Sequence, residues 1–350
     1  MRWPQDNDGS DTVSASDELG GSRFDRVHIA SASGGVSTQG ELALFRFREF
    51  HLDVARNSSD DFNPLHDPKK WDSVEGNPFG GPVVSVFQLE CLIEYLLRRG
   101  RSPMESRIVE QRGLRFCNYH FTFTGYLRPG DDFQVRIQPS TLNPGAGNTL
   151  SNRIYIRKSG ELILAGSVRQ TPSLLYRSSH DPAQLSEVER EADITYIPGT
   201  EYFLKRKYLS TANAKNFVTG CLVDQAYYFD EVQDRVSFPD MVPVSFVSSA
   251  LFEKNLADNV DVRRHPTVHV RHSISIDQAL ARDLRSNDRL HVLVTGPEQA
   301  LPPAALGQFQ VPAQRYECFG LVRDNQMLFC AQVFLVPLSA VRPWRLSITT

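Results

Sequence analysis

An internal repeat constrains the fold of this chain more than any other feature of its sequence. Residues 79–97 form an apolar, helix-like run that matches residues 238–256 when Ser85 is aligned with Ser245. Two strand-like matches follow in the same order and at a similar offset: 127–137 with 284–294, and 159–172 with 324–337. Self-similarity at one spacing predicts two copies of one structural unit. Because each copy combines one helix with alternating strands, we expect α+β units.

The composition fits a globular protein of one large or two ordinary domains. The chain has 350 residues, of which 41% are hydrophobic and 23% charged. A formal net charge of −3, without a basic patch interleaved with aromatic residues, argues against nucleic-acid binding. No run of about eighteen consecutive apolar residues occurs, so we expect no membrane-spanning segment.

Cysteine usage and local composition suggest the compartment and the domain boundaries. Five cysteines are scattered without a C-x-x-C pair, which favours reduced, buried thiols and no zinc site. The chain begins without the apolar core of a secretion signal, so we expect a cytoplasmic protein. Residues 1–38, rich in Ser, Gly and Asp, are predicted to be a disordered tail. We then expect a first unit at 39–175, a polar linker at 176–197 and a second unit at 198–350.

The strongest chemical signal is the run DFNPLHDP at residues 61–68, in which Asp61 lies five positions before His66. Pro64 fixes its own φ and pushes Asn63 out of the helical region, so we expect a bent, rigid loop. Such a loop could turn the carboxylate and the imidazole toward one water molecule, which suits general acid–base chemistry. The alternative is an Asx-type turn with a surface histidine.

A helix is expected directly after this loop. A Gly-Gly-Pro turn precedes residues 83–99, which are apolar on most sides and therefore predict a buried helix. The free N–H groups at the start of such a helix favour a developing negative charge. An acid–base loop that leads into a helix N-terminus suits thioester chemistry.

These two segments together resemble the hydratase motif of the MaoC-like, (R)-specific enoyl-CoA hydratases of the hot-dog fold. The family's D-x-N-P-x-H pattern and its later glycine–proline segment are matched by Asp61, Asn63, Pro64, His66, Gly80, Pro82, Val83 and Val84. Residues 113–137 resemble the family's next strands. With the internal repeat, the resemblance implies a tandem (double) hot-dog fold, in which antiparallel sheets each wrap round a central helix.

The resemblance also implies a function. It predicts a hydratase or dehydratase that interconverts (R)-3-hydroxyacyl and trans-2-enoyl thioesters, carried by coenzyme A or acyl carrier protein, in fatty acid or polyketide metabolism. Neither a metal nor another cofactor is expected. We expect no membrane partner, and we expect a possible homodimer.

Roles for individual residues follow from the same resemblance. Asp61 and His66 are the expected catalytic pair. Where the family has His-Gly at the helix start, this chain has Ser85-Val86. Val86 keeps the N–H that would polarise the thioester carbonyl, although its β-branched side chain crowds that space. The remaining expected oxyanion and substrate-binding residues are Ser85, Gly81 and Asn63.

Two alternatives stay open on the sequence. The Ser85-Val86 change is also compatible with a hot-dog thioesterase or acyltransferase, or with a non-catalytic acyl-thioester-binding protein. Residues 214–227 of the second unit offer Asp224 but no histidine and no proline in place of the motif, so we expect one site per chain.

The histidines at 265, 269 and 272 form a second candidate cluster. Strict strand alternation would place His265 and His269 on one face and His272 on the other. No carboxylate lies between these histidines or directly beside them in the sequence. The pattern therefore argues against a metal site.

Overall fold

The structure is a computed structural model that describes residues 43–143, 149–176, 178, 180–182, 185, 188–301 and 312–341. The tail predicted at residues 1–38 lies outside the described residues. The strands are β1 (Leu44–Arg46), β2 (Phe116–Phe123), β3 (Asp132–Ile137), β4 (Thr141–Asn143), β5 (Thr149–Lys158), β6 (Glu161–Thr171), β7 (Thr195–Tyr196), β8 (Phe203–Tyr208), β9 (Phe229–Asp230), β10 (Arg235–Val236), β11 (Thr267–Asp277), β12 (Arg289–Ala300), β13 (Ala313–Val322) and β14 (Gln326–Pro337). The helices are α1 (Glu49–Ser59), α2 (Val86–Gly100), α3 (Pro103–Gln111), α4 (Thr211–Gly220), α5 (Gln225–Tyr228), α6 (Met241–Ala257), α7 (Gln278–Arg282) and α8 (Leu338–Val341).

Most of the strands form one twelve-stranded antiparallel sheet in which the two halves of the chain repeat the same strand order. The first half contributes β1-β3-β5-β6-β2, and the second contributes β11-β14-β13-β12-β8 with β7 beyond it; β4 pairs with β5. β2 and β11 pair in the middle, from Thr122 opposite Arg271 to Phe116 opposite Asp277. The predicted α+β double hot-dog fold is confirmed, with its two sheets joined into one.

The repeated segments of the sequence lie on equivalent elements of the two halves. The two apolar runs contain α2 and α6, the two turn-plus-strand segments lead into β3 and β12, and the two hairpin segments contain β6 and β14. The exact points at which each unit begins and ends, and the linker at 176–197, stay predictions.

α2 and α6 lie in the interior of the protein. Their ranges are close to the helix predicted at 83–99 and to the matching apolar run at 238–256. Apolar side chains of both helices share one hydrophobic core with side chains of the sheet: Phe87, Cys91, Ile93, Val244, Phe246, Ile154 and Ile276. α2 also buries three polar side chains, Gln88, Glu90 and Glu94, which the hydrophobic pattern did not predict. Burial of a polar group is costly unless it is hydrogen-bonded, so each of these needs a partner.

Gln88 connects three helices at the base of the candidate site. Its side-chain amide donates hydrogen bonds to the carbonyl oxygens of Gly220, at 2.6 Å, and His51, at 3.2 Å. The three residues belong to α2, α4 and α1. Since α1 leads into the loop that begins at Asp61, this contact fixes the loop relative to the start of α2.

Two sequence expectations can be compared directly with the structure. All five cysteines are buried and have free thiols, as predicted. No helix in the described part of the chain is long and apolar enough to cross a membrane.

The close crossing of α1 and α4 predicts a steric effect at Gly220. Gly220→Ala should lower the unfolding free energy by about 1–3 kcal/mol, as overpacking of a close contact usually does. The added Cβ would lie 2.7 Å from the Cβ of Ala55 and 2.8 Å from the carbonyl oxygen of His51. Chemical denaturation measures the change.

Gly100→Ala is the matched control, because Gly100 also ends a helix but has open space around its Cα. It should be neutral or stabilise the protein by up to about 1 kcal/mol. Equal effects of the two substitutions would contradict the close crossing of α1 and α4.

Candidate functional site

The loop that carries the motif is a series of tight turns. Asp60, in the left-handed region with φ 53°, ends α1. Asn63 is extended, with φ −59° and ψ 120°, as expected before a proline. Its side-chain oxygen accepts a hydrogen bond from the N–H of Leu65 at 3.0 Å and so begins a single 3-10 turn, Pro64–His66. The predicted bent loop is present.

Asp61 and His66 lie together in the interior. Asp61 is 2% exposed and His66 8%, and the Asp61 Oδ2 to His66 Nε2 distance is 3.9 Å. His66 Nδ1 lies 2.8 Å from the carbonyl oxygen of Val83. Because a carbonyl can only accept, Nδ1 carries a proton, and Nε2 is the ring nitrogen that faces Asp61. The Asx-type turn of the alternative interpretation exists, but His66 is not a surface residue.

An ion pair and hydrogen bonds fix the loop on both sides. Asp67 forms an ion pair with Arg56 of α1, at 3.1 Å, and accepts a hydrogen bond from the N–H of Lys69 at 2.8 Å. On the other side, Val83 donates its N–H to the carbonyl oxygen of Leu65 at 2.9 Å. The Asp61–His66 pair is therefore held by rigid neighbours, as preorganised chemistry requires.

A mostly apolar cleft opens beside His66. Its lining includes Asn63 and His66 from the loop, Val86 and Leu89 from α2, Phe123 from β2 and His269 from β11. Asp61 is not part of the lining, so His66 is the member of the pair that borders the cleft. Val86 is the first residue of α2, where the backbone N–H has no partner within the helix.

The other two predicted binding residues lie outside this lining. Ser85 is the N-cap of α2, and its N–H donates to the side-chain oxygen of Gln88 at 3.1 Å. Gly81 is buried beside Arg128, the nearest atom to an added Cβ being Arg128 Cδ at 3.5 Å. The geometry assigns both residues to the support of the helix start.

The second half repeats the turn without its acid–base pair. Leu222 has φ 61°, and Val223 donates its N–H to the carbonyl oxygen of Val218, as Asp61 does to Arg56. Val223 therefore occupies the position of Asp61. Asp224 accepts a hydrogen bond from Ala226 N–H at 3.0 Å and so has the capping role of Asn63.

The first N–H groups of α6 already have an acceptor within the protein. Both carboxylate oxygens of Glu94, from α2, accept hydrogen bonds from the N–H groups of Asp240 and Met241, at 2.9 and 3.0 Å. Arg98 pairs with Glu94 at 2.9 Å and with Asp240 at 2.6 Å. Burial, with the charge of Asp240 beside it, raises the pKa of Glu94 to about 7. At α6 the first N–H thus has a protein acceptor, whereas Val86, the first residue of α2, lines the cleft.

The predicted orientation of the histidine cluster is wrong. A β-bulge interrupts the pairing of β11 with β14 between His269 and Arg271, which adds one residue and reverses the alternation. His269 and His272 consequently lie on the same side, with His269 Nδ1 2.7 Å from His272 Nε2. His265 precedes the strand.

The cluster does have a carboxylate partner, which sequence distance concealed. His272 Nδ1 lies 2.7 Å from Glu90 Oε1, across 182 residues of chain. Burial raises the pKa of Glu90 well above its usual value and lowers the pKa of His272 to about 3. Burial, with the nearby His272 and His66, lowers the pKa of His269 well below its usual value. The polar residues inside a mostly apolar helix run, Glu90 among them, were the available sequence signal.

Comparison with known proteins was made at the level of sequence and of structure. No family model matches the sequence, and no curated protein matches it. A solved MaoC-like dehydratase matches 85% of this chain and 96% of its own, with a TM-score of 0.53 and 10% identity. A putative MaoC domain protein dehydratase from Chloroflexus aurantiacus J-10-fl matches 84% of this chain and 93% of its own, with a TM-score of 0.53 and 10% identity. The chain has the double hot-dog fold of the MaoC-like dehydratases.

Within the described part of this double hot-dog chain, no group of three or more His, Cys, Asp or Glu side chains is placed to hold a metal ion. The candidate site combines the Asp61–His66 pair, the start of α2 and the hydrogen-bonded chain of Glu90, His272 and His269. That no cofactor takes part stays a prediction.

The raised pKa of Glu90 predicts that the free energy of unfolding falls as the pH rises. The folded protein keeps a proton on Glu90 that the unfolded chain releases above about pH 4.5. The stability that comes from holding this proton is therefore present at low pH and is lost as the pH rises. Glu90→Gln removes the titration. Its stability relative to wild type should therefore improve with pH, by up to about 1.4 kcal/mol per pH unit.

Denaturation curves at a series of pH values measure this trend. Glu161→Gln, at an exposed position of β6, is the matched control and should follow wild type throughout. Parallel curves for wild type and Glu90→Gln would show that Glu90 is ionised in the folded state.

Proposed function

We propose that the protein is a hydratase or dehydratase that interconverts trans-2-enoyl and (R)-3-hydroxyacyl thioesters. The observation that carries the proposal is the buried pair of Asp61 and His66, whose facing atoms are 3.9 Å apart at the edge of an apolar cleft. The fold shared with a MaoC-like dehydratase supports the same class of reaction.

The pair is suited to holding one water molecule. Both Asp61 Oδ2 and His66 Nε2 are acceptors, and a water about 2.8 Å from each can donate one proton to each. Its lone pairs then point away from the pair, toward the substrate. In hydration, one acceptor takes a proton as the oxygen adds to C3, and a proton is delivered to C2. Dehydration reverses these steps, with removal of the C2 proton and protonation of the leaving hydroxyl.

The start of α2 supplies the complementary charge. Removal of the C2 proton places negative charge on the thioester oxygen, and the N–H of Val86 at the first position of α2 can donate to it. In this assignment Ser85 and Gly81 hold the helix start, while Asn63 shapes the loop side of the cleft. The side chain of Val86 narrows the pocket without removing the donor.

The substrate class follows from the lining. An apolar cleft suits an acyl chain, and the thioester carrier is coenzyme A or acyl carrier protein, in cytoplasmic fatty acid or polyketide metabolism. One site per chain is proposed, because Val223 replaces Asp61 and Glu94 occupies the start of α6 in the second half. A homodimer stays part of the proposal.

Loss of either member of the pair should abolish turnover. Asp61→Ala and His66→Ala should remove measurable hydration of crotonyl-CoA and longer enoyl-CoA thioesters, followed by loss of enoyl-thioester absorbance. The reason is that neither acceptor alone can position and deprotonate the water. Asp224→Ala, in the equivalent turn of the second half, is the control and should retain turnover.

Equal damage from Asp224→Ala would contradict the assignment of one site. Release of free thiol by the wild-type protein in the same assay would instead favour the thioesterase or acyltransferase alternative. Binding without turnover would favour a non-catalytic acyl-thioester-binding protein.

The oxyanion assignment is tested at Val86. Val86→Pro removes the N–H donor and should lower kcat by about 100- to 1,000-fold, the usual cost of one such donor. Proline is tolerated at the first position of a helix, and Ser85 before it is already extended, with ψ 140°, so the fold should survive.

Val86→Gly is the matched control, because it keeps the N–H and removes only the side chain. It should stay active, admit wider acyl groups and lower stability by about 1 kcal/mol. Full activity in a folded Val86→Pro variant would show that the charge is stabilised elsewhere.

A further inference from the structure

The second half of the chain contributes His269 to the lining of a cleft that is formed mainly by the first half. His269, on β11, lines the cleft together with His66 and Asn63. Its ring packs edge-on against Phe87 of α2, with centroids 5.8 Å apart. Burial lowers the pKa of His269, and nearby His272 and His66 lower it further, so the imidazoles of His66 and His269 are electrostatic neighbours.

His269 is the outer member of a buried chain of hydrogen bonds. Its Nδ1 meets His272 Nε2 at 2.7 Å, and His272 Nδ1 meets Glu90 Oε1 at 2.7 Å. His272 and Glu90 are both 0% exposed. With Nδ1 engaged by His272, the nitrogen that His269 has left for the cleft is Nε2.

The direction of the chain depends on where its proton lies. Glu90 Oε2 is buried and has no hydrogen-bond partner among the described residues. An unpaired oxygen is much less costly on a neutral carboxyl than on a carboxylate, and burial raises the pKa of Glu90. A protonated Glu90 donates from Oε1 to His272 Nδ1, and His272 Nε2–H then donates to His269 Nδ1.

We propose that His269 is a third catalytic residue, which presents Nε2–H to the oxygen at C3 of the substrate, and that Glu90 and His272 are positioning residues that fix this tautomer. The proposal rests on the hydratase function proposed above. His66 is locked by Val83 with an acceptor nitrogen, and His269 is locked by Glu90 with a donor nitrogen. The two imidazoles thus offer opposite hydrogen-bonding character to one site.

The chemistry needs such a donor. A water held by Asp61 and His66 uses both of its protons, and one of its lone pairs attacks C3, so the second lone pair can accept from His269. In dehydration the C3–O bond breaks and negative charge develops on the departing oxygen. A fixed N–H donor stabilises that charge in a water-poor cleft. No proton need leave the Glu90–His272–His269 chain, so it is unchanged after each turnover.

Imidazole nitrogen NMR on the histidine-labelled wild-type protein tests the chain without any substrate. The expected result is that His269 and His272 both stay neutral from about pH 5 to 8, with Nε2 protonated and Nδ1 unprotonated. Titration of either ring in that range, or a protonated Nδ1 on His269, would overturn the proposal.

Kinetics tests the catalytic role. His269→Phe keeps an aromatic ring against Phe87 but removes the donor, and kcat should fall by about 100- to 1,000-fold with KM changed by less than about threefold. His269→Gln restores a side-chain N–H and should recover part of the loss. His120→Phe, on β2 outside the cleft, is the matched control and should keep wild-type kinetics. Full activity in a folded His269→Phe variant would overturn the proposal.

The positioning role has its own readout. Glu90→Gln can still donate to His272 and should keep both the tautomers and the turnover, whereas Glu90→Leu should lose the fixed tautomer of His269 in the NMR spectrum and lower kcat. Unchanged His269 signals in Glu90→Leu would contradict the role of Glu90. Loss of activity in Asp61→Ala with full activity in His269→Phe would overturn this inference alone, while wild-type protein without hydratase activity would overturn the proposed function itself.

Discussion

The pairing of β2 with β11 is the interaction on which the rest of the structure depends. It joins the sheets of the two units into one and brings β11, from the second unit, against α2, from the first. The contacts of Glu90 with His272, and of His269 with the cleft, exist because of this junction. The candidate site is therefore composite: one unit supplies the loop with Asp61 and His66 and the start of α2, and the other supplies part of the cleft lining, including His269.

The starts of the two central helices, α2 and α6, have different surroundings. Each central helix begins with N–H groups that have no partner within the helix and need an acceptor in the protein interior. At α6 the acceptor is the carboxylate of Glu94, held by Arg98. At α2 the first residue, Val86, lines the apolar cleft. The two equivalent helix starts therefore differ: Glu94 occupies the start of α6, and the start of α2 borders the candidate site.

The sequence predicted what local patterns can encode. The repeat predicted the tandem architecture, Pro64 predicted the bent loop, and the apolar run predicted the buried helix; all are present in the structure. The proximity of Asp61 and His66 followed from five residues and a proline, because a rigid loop leaves few ways to arrange them.

The elements that were missed depend on long-range contacts or on local irregularity. One inserted residue in the pairing of β11 reverses the faces of His269 and His272, and neighbouring residues give no sign of it. Glu90 lies 182 positions from its partner, so its role became visible only in three dimensions. In the same way, Asp224 was the only part of the motif that the sequence offered in the second unit, and only the structure shows that its hydrogen bond gives it the capping role of Asn63.

The central claim is that this cleft adds water across the double bond of an enoyl thioester and leaves the thioester intact. Its most direct test is incubation of a trans-2-enoyl-CoA with the wild-type protein in D2O, followed by NMR and mass analysis of the product. The account predicts an intact (R)-3-hydroxyacyl thioester with one deuterium at C2. Free coenzyme A with an unsaturated acid, or unchanged substrate, would contradict it.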